Sequence, residues 1–211
     1  MTAPVAAATP TLRLLLLSSP AGAIEPCGCS KDQLGGVQHL AAFVAEQRRE
    51  VPGAVLLGAG PLLFQQPVLD PERKQQDLWK AEAMAQALGT LGLAAWAPSA
   101  NDWAGGAEVL ATAQAKASAP LLAANVSGSP SLGASTVVDV GGVKVGLVGL
   151  SDPGAGLGSA PGGLTVSAAR EALDQEVARL GGQGAKVFVA LASLPRGDAL
   201  RLAEQVPKLH V

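Results

Sequence analysis

The sequence predicts an α/β domain in which helices cover a sheet. Short apolar runs alternate with longer amphipathic stretches along the whole chain, the pattern of strands buried under connecting helices. Two β-rich runs, 136–140 and 143–150, meet at Gly141-Gly142, which reads as a hairpin. No run approaches the roughly 20 apolar residues of a membrane span, and no tandem repeat is visible.

Residues 12–17 read as a buried strand. Arg13, the leucines after it and Ala21-Gly22-Ala23 also resemble a secretion signal, but the apolar run is short and residues 1–10 are not basic. A helix follows over 36–50, with Val37, Leu40, Ala41 and Val44 at helical spacing and a charged end. Residues 54–57 form the next strand, 78–91 a helix and 94–97 a short strand. A helix over 106–117 and a strand over 121–125 precede the hairpin. Val166, Ala169, Leu173 and Leu180 mark a further helix, 187–191 a strand and 198–205 a last helix. The loops 127–135 and 152–163 are rich in Gly, Ser and Pro.

Composition narrows function mainly by exclusion. The 211 residues are 48% hydrophobic and carry a net charge of -2, so there is material for a core and no electrostatic footprint for nucleic acid or anionic lipid. Aromatic residues are 3% and tyrosine is absent, which argues against base-stacking platforms. Gly58-Ala59-Gly60 lacks the third glycine of a dinucleotide fingerprint. Asn125-Val126-Ser127 is a glycosylation sequon with no further support. Trp79, Trp96 and Trp103 are expected to be packing residues.

Taken in order, eight short segments resemble the N-terminal domain of the 5′-nucleotidases and related calcineurin-like metallophosphoesterases. That family opens with a strand ending in T-N-D-x-H-G-H-x-E-P, where residues 17–26 here read L-S-S-P-A-G-A-I-E-P. Its G-G-[LV] helix start is Gly35-Gly36-Val37, and its D-A-G-D is Gly58-Ala59-Gly60-Pro61. The K-G-E-A helix is Lys80-Ala81-Glu82-Ala83, and the G-N-H-E-F-D block is Ser99-Ala100-Asn101-Asp102-Trp103-Ala104. Then P-x-L-x-A-N-V is residues 120–126, V-G-G-V-K-V-G is 140–146, and L-S-H-L-G is Leu191-Ala192-Ser193-Leu194-Pro195. The resemblance implies a layered α-β-β-α sandwich, with mixed sheets flanked by helices, over residues 12–211. Residues 1–11 are then a flexible N-terminal segment, with the family's last strands and any following domain lying beyond Val211.

In such enzymes two divalent metals sit at the strand ends and activate a hydroxide that attacks phosphorus. The resemblance assigns the ligand and charge-stabilising positions to Ser19, Ala21, Pro61, Ala100, Asn101 and Ser193. None supplies a carboxylate or imidazole, so the family's metal site is expected to be lost. The two histidines do not replace it: His39 falls in a helix, and His210 is near the end of the chain. Glu25 and Asp102 lie on neighbouring loops and are expected to be solvated contacts rather than an acid–base pair.

Both cysteines of the chain fall in E-P-C-G-C-S-K-D-Q-L-G-G, residues 25–36. This stretch, including Gln33, resembles a segment of a bacterial branch of nucleotidase-like proteins, some with selenocysteine in place of cysteine. Cys27 and Cys29 have three readings. A disulfide across Gly28 closes a small strained ring, labile enough for redox work, and Lys31 or a nearby helix N-terminus lowers a thiol pKa. A thiolate pair also favours Cu(I) or Zn(II), although two ligands leave the shell incomplete. The third reading is a pair of reduced loop thiols with no special role. No other cofactor is expected.

The functions kept open are therefore an inactive metallophosphoesterase-like domain with a redox or soft-metal Cys-Gly-Cys site, a scaffold that binds an unknown protein partner or following domain, and a divergent phosphoesterase. The resemblance also implies a periplasmic or otherwise extracytoplasmic location, with a membrane anchor in a full-length form.

Overall fold

The computed structural model describes residues 12–28, 31, 33 and 35–211. The flexible segment expected over 1–11 and the second cysteine, Cys29, lie outside the described residues.

The chain runs β1 (Leu14–Ser18), α1 (Gly36–Glu50), β2 (Val55–Ala59), α2 (Lys74–Thr90) and β3 (Leu93–Ala97). A 3-10 turn over Ala100–Gly105 leads to α3 (Ala107–Ala117), and β4 (Leu121–Leu122), β5 (Val126–Ser127) and β6 (Leu132–Gly133) follow. The second half is β7 (Ser135–Val140), β8 (Val143–Ser151), β9 (Thr165–Val166), α4 (Ala169–Gly182), β10 (Val187–Ser193) and α5 (Arg196–Gln205). One sheet has the order β1-β2-β3-β4-β6 with every pairing parallel. A second, β10-β8-β7, is mixed: β10 is parallel to β8 and β7 antiparallel.

Strand periodicity sorts side chains into three apolar layers. Leu56, Trp96 and Leu121 face α1–α3 with Val44, Met84, Leu88 and Leu110. Their strand neighbours Leu57, Ala95 and Leu122 point the other way and meet Val145, Leu147, Val189 and Leu191 between the sheets. Val148 and Leu150 pack outward against Leu173, Val177, Leu180 and Leu202 of α4 and α5. Helices, sheet, sheet and helices are thus stacked in that order. Gly149 lets the sheets touch: a Cβ there would stand 1.9 Å from the Leu122 carbonyl oxygen, and its own carbonyl accepts from Ala124 N–H at 2.8 Å.

The hairpin turns at Gly141-Gly142, with φ values of 61° and 84°, as a two-residue turn of this hand requires. The strand expected over 121–125 stops at Leu122, because the chain turns so that Asn125 can bond Ser151. Val166, expected in a helix, instead pairs with Val126. Helix α2 starts four residues before its first apolar position, since a polar first turn carries no apolar period. Trp96 and Trp103 are buried, but Trp79 is 64% exposed. It lies on the face of α2 opposite Ala81, Met84 and Leu88, so the packing expected of it is not found. Among the described residues, no helix is long and apolar enough to cross a membrane.

Candidate functional site

The C-terminal ends of β1, β2, β3, β8 and β10 converge on one edge, around a cleft of about 310 Å³. Ser19, Pro61, Ala100, Asn101 and Ser193 line it, while Ala21 lies on the adjoining loop. Each sits where the resemblance implies a metal ligand or its neighbour.

The side chains of Ser193 and Asn101 are turned to holding the backbone, while Ser19 Oγ meets Ser18 Oγ at 3.3 Å. Ser193 Oγ accepts from Gly60 N–H at 2.6 Å and donates to the Ala97 carbonyl at 2.6 Å. Beside it, Ser151 Oγ donates to the Pro98 carbonyl at 2.6 Å. Asn101 Nδ2 donates to the Gln65 carbonyl at 2.8 Å. Ser19 and Ala21 take left-handed φ values of 56° and 48°, a conformation costly outside glycine. Bonds from Ala21 N–H to the Pro61 carbonyl, 2.8 Å, and from Gly22 N–H to the Leu62 carbonyl, 3.0 Å, tie the loop after β1 to the loop after β2.

Asp102 reverses its expectation. It is fully buried, so it is neither a solvated contact nor a partner for Glu25, which is exposed. One carboxylate oxygen accepts from the N–H groups of Leu62 and Leu63 at 2.9 and 2.8 Å. The other accepts from Ser99 N–H at 2.8 Å and Ser99 Oγ at 3.0 Å. Burial pushes its pKa up to about 6, against the opposing pull of the hydrogen bonds from Leu63, Ser99 and Leu62. The sequon asparagine is likewise buried, with its amide committed to the backbone of Ser151 at 2.8 and 2.9 Å.

The donor set does not fit a pair of hard divalent cations. Among the described residues Asp152 is the one carboxylate in the cleft lining, and its Oδ1 already accepts from Gly154 N–H at 3.1 Å. Asp152 is absent from the positions the resemblance assigns, and its only signal in the sequence is an acidic residue opening an Asp-Pro-Gly turn. His39 is exposed on α1, and His210 accepts from Phe188 N–H at 3.2 Å, away from the cleft lining. Among the described residues no three His, Cys, Asp or Glu side chains are grouped to hold a metal.

Cys27 is exposed on the loop from β1 to α1. The chain just before it is clamped: Val37 N–H donates to the Ile24 carbonyl at 2.9 Å. A Cβ on Gly36 would meet Pro26 N at 2.6 Å. The start of α1 has no side-chain cap and no acidic residue in its own first turn.

No protein-family model matches the chain, and no curated protein matches it by sequence. Its fold, however, is shared with solved structures. A 5′-nucleotidase precursor from Thermus thermophilus superposes with a TM-score of 0.73 at 22% identity over 91% of this chain. The sulfate thiohydrolase SoxB of the same genus gives 0.77 at 17% identity over 93%, and the calcineurin-like phosphoesterase YfkN of Bacillus subtilis 0.70 at 18% over 94%. The architecture is that of the calcineurin-like metallophosphoesterases. The fold is likewise shared with the NAD nucleotidase of Haemophilus influenzae, at a TM-score of 0.75 and 17% identity over 91% of this chain. The chain spans 39% of the Thermus nucleotidase and 46% of SoxB.

Proposed function

We propose that this is a metallophosphoesterase-fold domain that has given up two-metal phosphoester hydrolysis and carries Cys27-Gly28-Cys29 as a thiol–disulfide or soft-metal site. The observation that carries the reading is Ser193. At the place where the family resemblance implies an imidazole, its hydroxyl closes on Gly60 and Ala97 at 2.6 Å each. Supporting it are the methyl, ring and amide side chains of Ala21, Ala100, Pro61 and Asn101. In the redox form, a disulfide such as oxidised glutathione takes two electrons and two protons from the cysteine pair, giving two glutathione thiols and an intramolecular disulfide.

Hydrolysis of nucleotides and p-nitrophenyl phosphate with manganese or zinc supplied is expected to be at background. Turnover that survives Cys27→Ser/Cys29→Ser would end the reading. The sulfur half is tested by intact mass with and without reductant across glutathione buffers. A loss of two hydrogens over a defined potential range supports it, and a pair that stays reduced throughout removes it. An extracytoplasmic location belongs to the same proposal and would favour the oxidised form.

The second reading, an interaction domain, has its own observation in the exposed Trp79, since exposed tryptophans are frequent interface anchors. Replacement of the cysteines that leaves partner binding untouched would favour it.

A further inference from the structure

The segment that carries the two cysteines leaves and rejoins the fold at one place. Val37 N–H donates to the Ile24 carbonyl at 2.9 Å, so the chain from 25 to 36 begins and ends at the first turn of α1. Beside this bond the two ends come closer still. Gly36, at a φ of 76°, stands so near the Glu25–Pro26 peptide bond that a Cβ on it would lie 2.6 Å from Pro26 N, 2.8 Å from the Glu25 carbonyl carbon and 2.9 Å from Pro26 Cδ. Two of those three atoms are backbone, so no rotamer change relieves the clash. The neighbouring Gly35 also has a positive φ, 82°, but a Cβ there would meet nothing within 4 Å. Of the two glycines, only Gly36 is required by what it touches.

Pro26 is bonded directly to Cys27, so whatever fixes the Glu25–Pro26 peptide fixes the chain where it enters the ring of a Cys27–Cys29 disulfide. The geometry points to Gly36 as the positioning residue of that pair: by letting the first turn of α1 lie against Pro26, it favours the disulfide over the dithiol. The reason is entropic, because chain freedom already removed at Pro26 is not lost again when the ring closes. The inference rests on the thiol–disulfide reading of the pair and adds which part of the fold sets its balance. In the exchange, the two cysteine thiols give two electrons and two protons to oxidised glutathione. Its S–S bond breaks, the protein S–S bond forms, and two glutathione thiols leave.

The whole chain is equilibrated in glutathione buffers and quenched with acid, and the disulfide fraction is read by intact mass, both folded and in urea. The parent is expected to form the disulfide at least about fivefold more readily when folded, the ratio that corresponds to one residue's backbone freedom. Gly36→Ala, whose methyl must push the Glu25–Pro26 peptide away, is expected to lose most of that preference while matching the parent in urea. Gly35→Ala, which carries a backbone cost but touches nothing, is expected to keep it. If Gly36→Ala fails to fold, Val37→Pro takes its place. It removes the N–H of the neighbouring bond at a first-turn position where proline is tolerated, and the same loss is expected. The inference is overturned if the parent shows no folded-state preference, if Gly36→Ala or its substitute keeps the parent's preference, or if Gly35→Ala loses it to the same extent. A parent pair that stays reduced at every potential, folded and in urea, ends the thiol–disulfide reading and this inference with it. A pair that oxidises alike in the parent and in Gly36→Ala ends the inference alone.

Discussion

Ser193 stands 133 residues from Gly60 in sequence, yet its hydroxyl accepts the Gly60 N–H at 2.6 Å, bridging the end of β10 to the end of β2. Through its second bond, to the Ala97 carbonyl, the same oxygen reaches β3. Two sheets are therefore fastened at the edge where the family resemblance implies metal ligands. A hydroxyl suits this task because it donates and accepts at once.

Removing that hydroxyl has a definite cost. Ser193→Ala leaves a backbone donor and a backbone acceptor without partners in a nearly closed site, for an expected loss of about 2 kcal/mol. Urea denaturation checks it. The midpoint should fall with the slope unchanged, since the surface exposed on unfolding is the same. An unchanged midpoint would show that solvent replaces the hydroxyl and that the fastening is incidental.

Arg48 offers a second stability test. From α1 its guanidinium donates to the carbonyls of Ala54, Leu91 and Gly92 at 3.2, 2.7 and 3.3 Å, tying α1 to the end of α2 and the approach to β2. Arg48→Ala should cost about 2–3 kcal/mol, the range for bonds to a charged group. Arg48→Lys should recover only part, because an ammonium cannot span the three carbonyls as the planar fork does. Full recovery with lysine would mean that charge, not the fork, provides the stability.

Asp102 makes stability depend on pH with a defined sign. Its folded pKa of about 6 lies above the ordinary 3.8, so the folded state holds the proton more tightly than the unfolded chain. Its contribution is therefore fully present below pH 3.8, is lost as pH rises towards 6, and is flat above. Asp102→Asn removes this titration. The gap in unfolding free energy between the parent and the variant should narrow by about 2–3 kcal/mol from about pH 4 to pH 7. A constant gap would show the carboxylate ionising as an exposed one does, and a widening gap would show its hydrogen bonds holding the folded pKa below the ordinary value.

The same residue marks where sequence reading stops. The strands around Leu56-Leu57, Ala95-Trp96 and Leu147-Val148 were readable as short apolar runs, and strand period then sends neighbouring residues to opposite layers. The burial of Asp102 was not, since its donors Leu62 and Leu63 come from a loop about forty positions upstream and are backbone groups that any sequence supplies. Trp79 is a different miss: its position opposite the Ala81, Met84 and Leu88 stripe was already in the helical period, and size alone suggested burial. At the site, the identities of Ser19, Pro61 and Ser193 were legible through family resemblance. Their bonds to Gly60, Ala97 and the neighbouring loops were not, because they join segments more than ninety residues apart in the case of Ser193.

Metal addition tests the strand-end cleft without relying on any assay of turnover. A ligand that binds the folded state at about a hundred times its dissociation constant stabilises it by about 2.7 kcal/mol, a shift easily seen in thermal unfolding. Among the described residues the cleft supplies one carboxylate, Asp152, with hydroxyl, amide, methyl and ring groups around it. Hard divalent cations prefer several oxygen anions or imidazoles. Millimolar manganese or magnesium is therefore expected to leave the unfolding temperature where it was. Zinc or copper(I) is expected to raise it only while Cys27 and Cys29 are intact. A manganese-dependent rise that persists in Cys27→Ser/Cys29→Ser and disappears in Asp152→Ala would place a cation among the strand ends after all, and would return the domain to the hydrolases whose fold it shares.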